Sequence, residues 1–258
     1  MMEAFDRDYF LSQTKGTVPV CKIFINKETA STNLDAVELV RTGIGENALI
    51  IAETQTDGRG TKGRSFFSSA GGVFFSLILS NVDKELLNRL TPTAAVAAAR
   101  AASTVSGEKV EIKWVNDIIA GGKKVCGILC EALLKGNTAS AIIGVGANIY
   151  EPENGFPDEL NEIAGTLCGR SGEKLLRERF TAEFLNEFFR LLKLSGEGLL
   201  NEYTARSCAL GKEIYVIKKN RKEKALAIGI ANDFCLVVKY ECNTIEKLLS
   251  DEVSVRIV

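Results

Sequence analysis

The densest cluster of chemistry-bearing residues is Gly58-Arg59-Gly60-Thr61-Lys62-Gly63-Arg64. Glycines let consecutive backbone N–H groups converge on an anion, and Arg59, Lys62 and Arg64 supply the counter-charge that phosphate or carboxylate oxygens need. The spacing fits neither the Walker loop nor the dinucleotide fingerprint, and a solvated basic turn or a nucleic-acid contact would use the same residues. A second cluster, Lys113-Trp114-Val115-Asn116-Asp117, closes a predicted strand. Its ammonium, amide and carboxylate can together reach one anionic ligand, its ribose and its metal ion, although Asn116-Asp117 also suits a plain hairpin turn. In Lys123-Lys124-Val125-Cys126-Gly127-Ile128-Leu129, lysines precede a strand whose Gly127 admits a ligand to the backbone; ordinary edge-strand lysines are the alternative. Gly144-Val145-Gly146-Ala147-Asn148 adds a glycine pair inside a strand, by itself a weak signal.

Composition narrows what these groups can do. The chain has no histidine, which excludes Ser-His-Asp and Cys-His nucleophilic machinery and the common His-based zinc sites. None of its seven cysteines forms a close Cys-x-x-Cys pair, so they read as reduced core thiols; neither zinc nor haem is implied. A formal net charge of -1 offers no global field to nucleic acid, so an anion site must be built locally. Met1 to Phe10 lacks an apolar signal core, and Gly72 to Leu79 is far too short to span a bilayer, so a cytoplasmic protein that binds no membrane is expected. Catalysis here must lean on positioning and charge.

The 258 residues, 46% hydrophobic, suit one large domain or one large and one small. The spacing predicts strands at Val20 to Ile25, Ala48 to Glu53, Gly72 to Leu79, Val110 to Trp114 and Ala139 to Ile149, with Ile118 to Leu134 a hairpin turning at Gly121-Gly122. The basic glycine loop joins two of these strands, and a long loop in that position is usually functional. Thr32 with Asp35 reads as a capping box opening a helix to about Arg41; Thr91-Pro92 reads as the start of an alanine-rich helix to about Ser106. Phe180, Phe184, Phe188 and Leu192 recur at helical spacing within an amphipathic helix from Glu173 to Leu194, and a short helix follows around Leu199 to Ser207. From about Gly211 the pattern turns to short β runs. The expected fold class is α+β: a mixed sheet with helices packed on one face, followed by a small β domain, dividing the chain at 1–208 and 209–258.

Taken together and in this order, with Ser31-Thr32-Asn33 before them, the four clusters resemble the biotin protein ligase family. The family pattern runs Ser-Thr-Asn, Gly-Arg-Gly-x-x-Gly-Arg, Lys-Trp-Pro-Asn-Asp, Lys-x-x-Gly-Ile-Leu and Gly-x-Gly-x-Asn, and the chain follows it from about residue 20 to 150. Two departures stand out: Thr61 replaces an arginine that helps order the loop, and Val115 replaces the usual proline. The resemblance implies a class II synthetase-like catalytic domain with an SH3-like terminal barrel, in the short form without a DNA-binding module. It implies an ATP-dependent ligase that makes biotinyl-5'-AMP from biotin and MgATP and passes biotin to a lysine of a biotin carboxyl carrier protein.

The resemblance also implies roles. Ser31, Thr32, Asn33, Gln55, Gly58, Arg59, Lys124, Gly127 and Leu129 would bind biotin, with Ser31, Thr32 and Gln55 at its ureido end. Arg59, Lys62, Gly63, Arg64, Phe66, Phe67, Asn116 and Asn148 would bind ATP, an aromatic covering the adenine. Arg59, Lys113 and Lys124 would offset the charge of carboxylate and α-phosphate, the family spacing selecting Lys124 over Lys123, and Asp117 would take the proton of the acceptor amine. Magnesium would be held mainly by phosphates, with Asn116 or Asp117 assisting. A homodimer through an exposed sheet edge is compatible with this pattern. Lipoate ligase shares fold and chemistry, but the Gly-Arg-Gly loop with Lys-Trp-x-Asn-Asp favours biotin, and the charge balance disfavours a nucleic-acid-binding protein.

Overall fold

The computed structural model describes residues 3–15, 18–169, 172–218, 221–250 and 253–257. In chain order the elements are α1 (Arg7–Gln13), β1 (Lys22–Thr29), α2 (Thr32–Arg41), β2 (Ala48–Gln55), β3 (Gly72–Asp83), α3 (Lys84–Ser106), β4 (Val110–Lys113), β5 (Asp117–Ala120), β6 (Lys123–Lys135) and β7 (Thr138–Asn148). Then follow α4 (Leu176–Leu191), α5 (Gly196–Thr204), β8 (Glu213–Lys218), β9 (Arg221–Ile230), β10 (Leu236–Tyr240), β11 (Ile245–Leu248) and β12 (Val253–Ile257). None of the described helices is long and apolar enough to cross a membrane.

The first seven strands make one mixed sheet in the order β1-β2-β3-β7-β6-β5-β4, with only β1 and β2 parallel. Side chains alternate across it, as a pleated strand requires. Leu49 and Ile51 of β2, Phe75 of β3 and Ile143 and Val145 of β7 enter the large core with the alanines of α3 and the phenylalanines of α4. Ala48, Ile50, Ile78 and Ile142 turn the other way and pack with Ala36 of α2. The expectation of helices on one face is corrected here: α3 and α4 cover one side, while α2 sits alone on the other. That leaves part of the second face open beyond α2, where Ser76, Gly127, Gly144 and Gly146 lie.

The other expectations fare unevenly. The hairpin turns at Gly121 and Gly122, both at positive φ (56° and 79°) where glycine is favoured. Helix α3 starts at Lys84, so Pro92 lies inside it rather than at its head; the next residue, Thr93, donates its hydroxyl to the Arg89 carbonyl (2.6 Å) beside the gap. The α2 cap is Ser31, not Thr32, and Asp35 closes no capping box; its Oδ2 accepts from the Thr29 hydroxyl (2.8 Å). Cys126, Cys208 and Cys235 are buried thiols as expected, but Cys21 and Cys242 are exposed.

The last five strands form a separate antiparallel sheet, β11-β10-β9-β8-β12, in the stretch where the sequence turns to short β runs. It is tied to the end of β4 by the Trp114 indole N–H, which donates to the Phe234 carbonyl (2.9 Å); Tyr203 of α5 packs on the Phe234 ring and donates its hydroxyl to the Val115 carbonyl (2.9 Å).

Candidate active site

On the open face of the sheet, the N-terminus of α2 meets the end of β2 through hydrogen bonds rather than apolar contact. Ser31, Thr32, Asn33 and Ser76 are all buried. The Thr32 N–H donates to Gln55 Oε1 (2.9 Å), which also lies 3.2 Å from the Thr32 hydroxyl. Gln55 Nε2 donates to the Ser68 hydroxyl (2.9 Å), which donates to the Phe66 carbonyl (2.9 Å). On the other side, the Ser76 hydroxyl sits 2.8 Å from Thr32 Oγ1 and donates to Asn33 Oδ1 (2.6 Å). Asn33 Nδ2 donates to Glu131 Oε2 (2.7 Å), with the Leu129 carbonyl at 3.4 Å. These buried polar groups satisfy one another, which makes the floor rigid. Asn33 has both amide atoms committed within it, and a Cβ on Gly144 would lie 2.0 Å from Asn33 Oδ1. The Ser31 hydroxyl makes no capping hydrogen bond to α2.

Beside this floor lies a glycine platform. Gly127 of β6 faces Gly146 of β7 across the ladder, and the Phe66 ring lies on both: added Cβ atoms would come within 2.9 Å and 2.7 Å of it. Phe66 also meets Phe74 edge-on (centroids 6.3 Å apart). Lys124 Nζ is 5.5 Å from the centroid of the Phe66 ring and 2.5 Å from Asp117 Oδ1, and Asp117 is itself the ladder partner of Gly127. Lys113 is opposite Asp117 in the β4–β5 register, so the two share a face. Lys123, by contrast, reaches out to the Asn161 carbonyl (2.6 Å).

The basic loop is a small hairpin: Gly60 N–H donates to the Arg64 carbonyl (2.7 Å), Phe66 N–H donates to the Gly58 carbonyl (2.8 Å), and Arg59 bridges Ser65. Gly58 is obligatory, since a Cβ there would lie 2.4 Å from both the Phe66 carbonyl and the Ser68 hydroxyl. Lys62 and Gly63 at the tip have positive φ (61° and 70°). Thr61 takes part in the closure, accepting from Arg64 Nε at its carbonyl (3.2 Å) and from Arg64 Nη2 at its hydroxyl (3.0 Å). Arg59 and Arg64 are exposed.

The remaining candidates sit at the rim. Asn116 Nδ2 donates to the Ile128 carbonyl (2.6 Å), so its amide fixes the β5–β6 junction and leaves Oδ1 to another partner; the Trp114–Val115 peptide is cis. Asn148 Nδ2 donates to the Gly165 carbonyl (3.1 Å). Phe67 turns from Phe66 to pack on Phe156 (centroids 5.8 Å apart). On the helix-packed face of β6, burial pushes the Cys126 thiol up to about 12, only partly opposed by the Lys124 ammonium, and burial does the same to Cys130. Neither thiol serves as a nucleophile. No cluster of three His, Cys, Asp or Glu side chains able to hold a metal ion occurs among the described residues.

Sequence reasoning overlooked Ser68, Ser76 and Glu131. The signal was a polar residue inside an otherwise apolar strand run, Ser76 in β3 and Glu131 in β6, which has reason to exist only if its partner is also buried.

Comparison with known proteins agrees with this geometry. Residues 28–148, which hold the floor, platform and loop, match the model of the biotin/lipoate A/B protein ligase family. Over 151 residues the chain is 40% identical to the bifunctional ligase/repressor BirA of Bacillus subtilis (strain 168), covering 57% of this chain and 46% of that protein. The chain thus spans about half the length of such relatives. It is 28% identical over 220 residues to the biotin--[acetyl-CoA-carboxylase] ligase of Paracoccus denitrificans, covering 82% of this chain and 91% of that protein. The structure of the biotin protein ligase from Aquifex aeolicus in complex with biotin and ATP matches with a TM-score of 0.72 at 23% identity, covering 92% of this chain and 99% of that one. At that identity the likeness is one of fold.

Proposed function

We propose that this chain, which belongs to the biotin/lipoate A/B protein ligase family through residues 28–148, is an ATP-dependent biotin protein ligase. The observation that carries the reading is the adjacency of a buried polar floor to an aromatic-capped glycine platform edged by Lys124. A bicyclic ligand with a polar ureido end, an apolar ring and a carboxylate needs that sequence of surfaces. The division into a catalytic domain (1–208) and an SH3-like terminal domain (209–258), and a cytoplasmic location, belong to the same proposal.

In the first half-reaction, Ser31, Thr32 and Gln55 hold the ureido end, Asn33 stiffens the floor from below, and Gly58, Gly127 and Leu129 border the ring. Arg59, Lys113 and Lys124 gather round the biotin carboxylate and the α-phosphate. One carboxylate oxygen bonds to the α-phosphorus, the bond to the β-phosphate breaks, and pyrophosphate leaves with both of its electrons. Two anions meet in this step, and fixed cations in a site shielded from water offset their repulsion. Lys62, Gly63 and Arg64 face the ATP phosphates, Phe66 is the aromatic that covers the adenine on lifting from the glycine platform, Phe67 reaches the nucleotide only by leaving Phe156, and Asn148 borders the nucleoside. Asn116 through its Oδ1, and Asp117, are the side chains that would assist the phosphates in holding magnesium, whose charge would offset theirs.

In the second half-reaction the amine of a carrier lysine bonds to the acyl carbon of biotinyl-5'-AMP, and AMP departs. An unperturbed ammonium has a pKa near ~10.4, so a proton must be removed first. Asp117 is matched to that task because its partner changes. Without ligand it is paired with Lys124 (2.5 Å). Once Lys124 turns to the mixed anhydride, the carboxylate is released to orient the amine and accept its proton.

The test is ATP- and biotin-dependent labelling of a biotin carboxyl carrier domain, with pyrophosphate exchange reporting the first half. Labelling by biotin without nucleic acid supports the reading. Labelling by lipoate alone would place the chain in the other branch of its family, and failure with both would sink the proposal.

A further inference from the structure

We infer that Glu131, outside the proposed contact residues, is a positioning residue that sets the hydrogen-bond polarity of the pocket floor, so that Thr32 presents an acceptor and selects a ligand N–H. The inference rests on the biotin reading above, because it assigns the ureido N–H as the group selected. It follows from counting protons along the floor. An ionised carboxylate can only accept. With Glu131 Oε2 at 2.7 Å, Asn33 must turn its amide nitrogen to β6 and its oxygen to Ser76. The Ser76 hydroxyl has one proton, and the 2.6 Å bond to Asn33 Oδ1 uses it. The Ser76 oxygen therefore faces Thr32 Oγ1, 2.8 Å away, as an acceptor, and the Thr32 proton goes to it. Gln55 Oε1 is already served by the Thr32 N–H at 2.9 Å, better than by the hydroxyl at 3.2 Å. What remains for a ligand at Thr32 is a lone pair.

Two features define this polarity. Asn33 lies against Gly144, which fixes the plane of its amide and leaves only the choice of which end carries the nitrogen. Ser76 is fully buried, so water cannot supply it with a second proton donor. Without an acceptor at 131, only the Leu129 carbonyl at 3.4 Å keeps the Asn33 nitrogen on that side. When the amide flips, the Ser76 proton turns to Thr32, and the Thr32 proton is divided between Gln55 Oε1 at 3.2 Å and the ligand. The residue closest to the ligand is unaltered while its preference weakens.

The experiment compares full-length wild type, Glu131→Met and Glu131→Gln by titration calorimetry with biotin and with biotin methylated at either ureido nitrogen, alongside melting temperature. Wild type is expected to reject one of the methylated ligands by about ten-fold or more, the worth of one hydrogen bond and its desolvation. In Glu131→Met the affinity for biotin should fall by about ten-fold while that for the rejected ligand changes less than about two-fold, so the discrimination collapses. Glu131→Gln keeps an acceptor oxygen and retains the discrimination. Equal weakening for all three ligands in Glu131→Met would show a merely structural residue and overturn the inference, as would unaltered biotin affinity. A wild-type chain that binds none of the three sinks the biotin reading itself, a result legible before any variant is made.

Discussion

The two halves of the site are built on opposite principles. In the floor, Thr32, Asn33 and Ser76 are buried and, with the half-buried Gln55, hydrogen-bonded to one another, with Ser31 buried beside them, so its geometry is fixed before any ligand arrives. The loop from Gly58 to Arg64 is a hairpin closed by its own backbone, with Arg59 and Arg64 in solvent and Arg64 turned back on Thr61. A neutral bicycle can be read by fixed dipoles, whereas a polyphosphate brings enough charge to rearrange flexible cations around itself. On the proposed reading, selectivity resides in the floor, and charge compensation in the loop and Lys124.

The largest effect expected from separating these roles is at the cations. Lys124→Ala should lower biotin-dependent pyrophosphate exchange by about 10³-fold, in the range found for removal of a charge-stabilising group, with biotin still bound and the melting temperature held. Normal exchange in this variant would remove Lys124 from the reaction. Next comes the floor. Gly144→Ala drives a methyl group to within 2.0 Å of Asn33 Oδ1, so the fold should lose about 1–3 kcal/mol and biotin affinity should fall, while the apparent affinity for ATP changes little. Parallel losses for both substrates would erase the distinction between the halves.

A smaller change is expected from Thr61→Arg. Arg64 gives up its 3.0 Å bond to the Thr61 hydroxyl, and the loop gains a cation able to hold the adenylate. Stray labelling of bystander lysines, measured by blotting at fixed turnover, should drop by about three- to ten-fold, the scale of one hydrogen bond; equal labelling contradicts it. The mildest contrast is in thiol reactivity. The exposed Cys242 thiol is held below its ordinary range chiefly by hydrogen bonding with Thr244, while burial pushes Cys126 beneath the platform up to about 12. Mass spectrometry after brief alkylation should find Cys242 modified and Cys126 intact, unless β6 opens locally.

Much of the molecule could be read from the chain alone because its signals are local. The Gly121-Gly122 turn, the continuous apolar runs of β2 and β3 and the recurring phenylalanines of α4 each depend on neighbours a few residues away. What escaped depends on partners distant in sequence. Ser76 meets Asn33 across 43 residues and Glu131 meets it across 98, so neither had a local pattern to announce it. Thr32 looked like a cap because its neighbours fit a cap, yet Gln55, 23 residues on, took over the work. Pro92 misled for the same reason: proline is favoured at a helix start, but here the two turns before it were already helical. The candidate residues themselves were visible as types and spacings; which atom of each remains for a ligand was not.

The indole of Trp114 reaches across to Phe234 at the point where the Lys113–Asp117 turn begins. Cutting the chain after α5 would uncover that ring, strip Tyr203 of its packing partner Phe234 and exchange the indole's carbonyl partner for solvent. A chain cut there is expected to melt below the whole one. On the proposed reading, damage to the small terminal sheet would also loosen the Lys113–Asp117 turn and with it the grip on the anhydride.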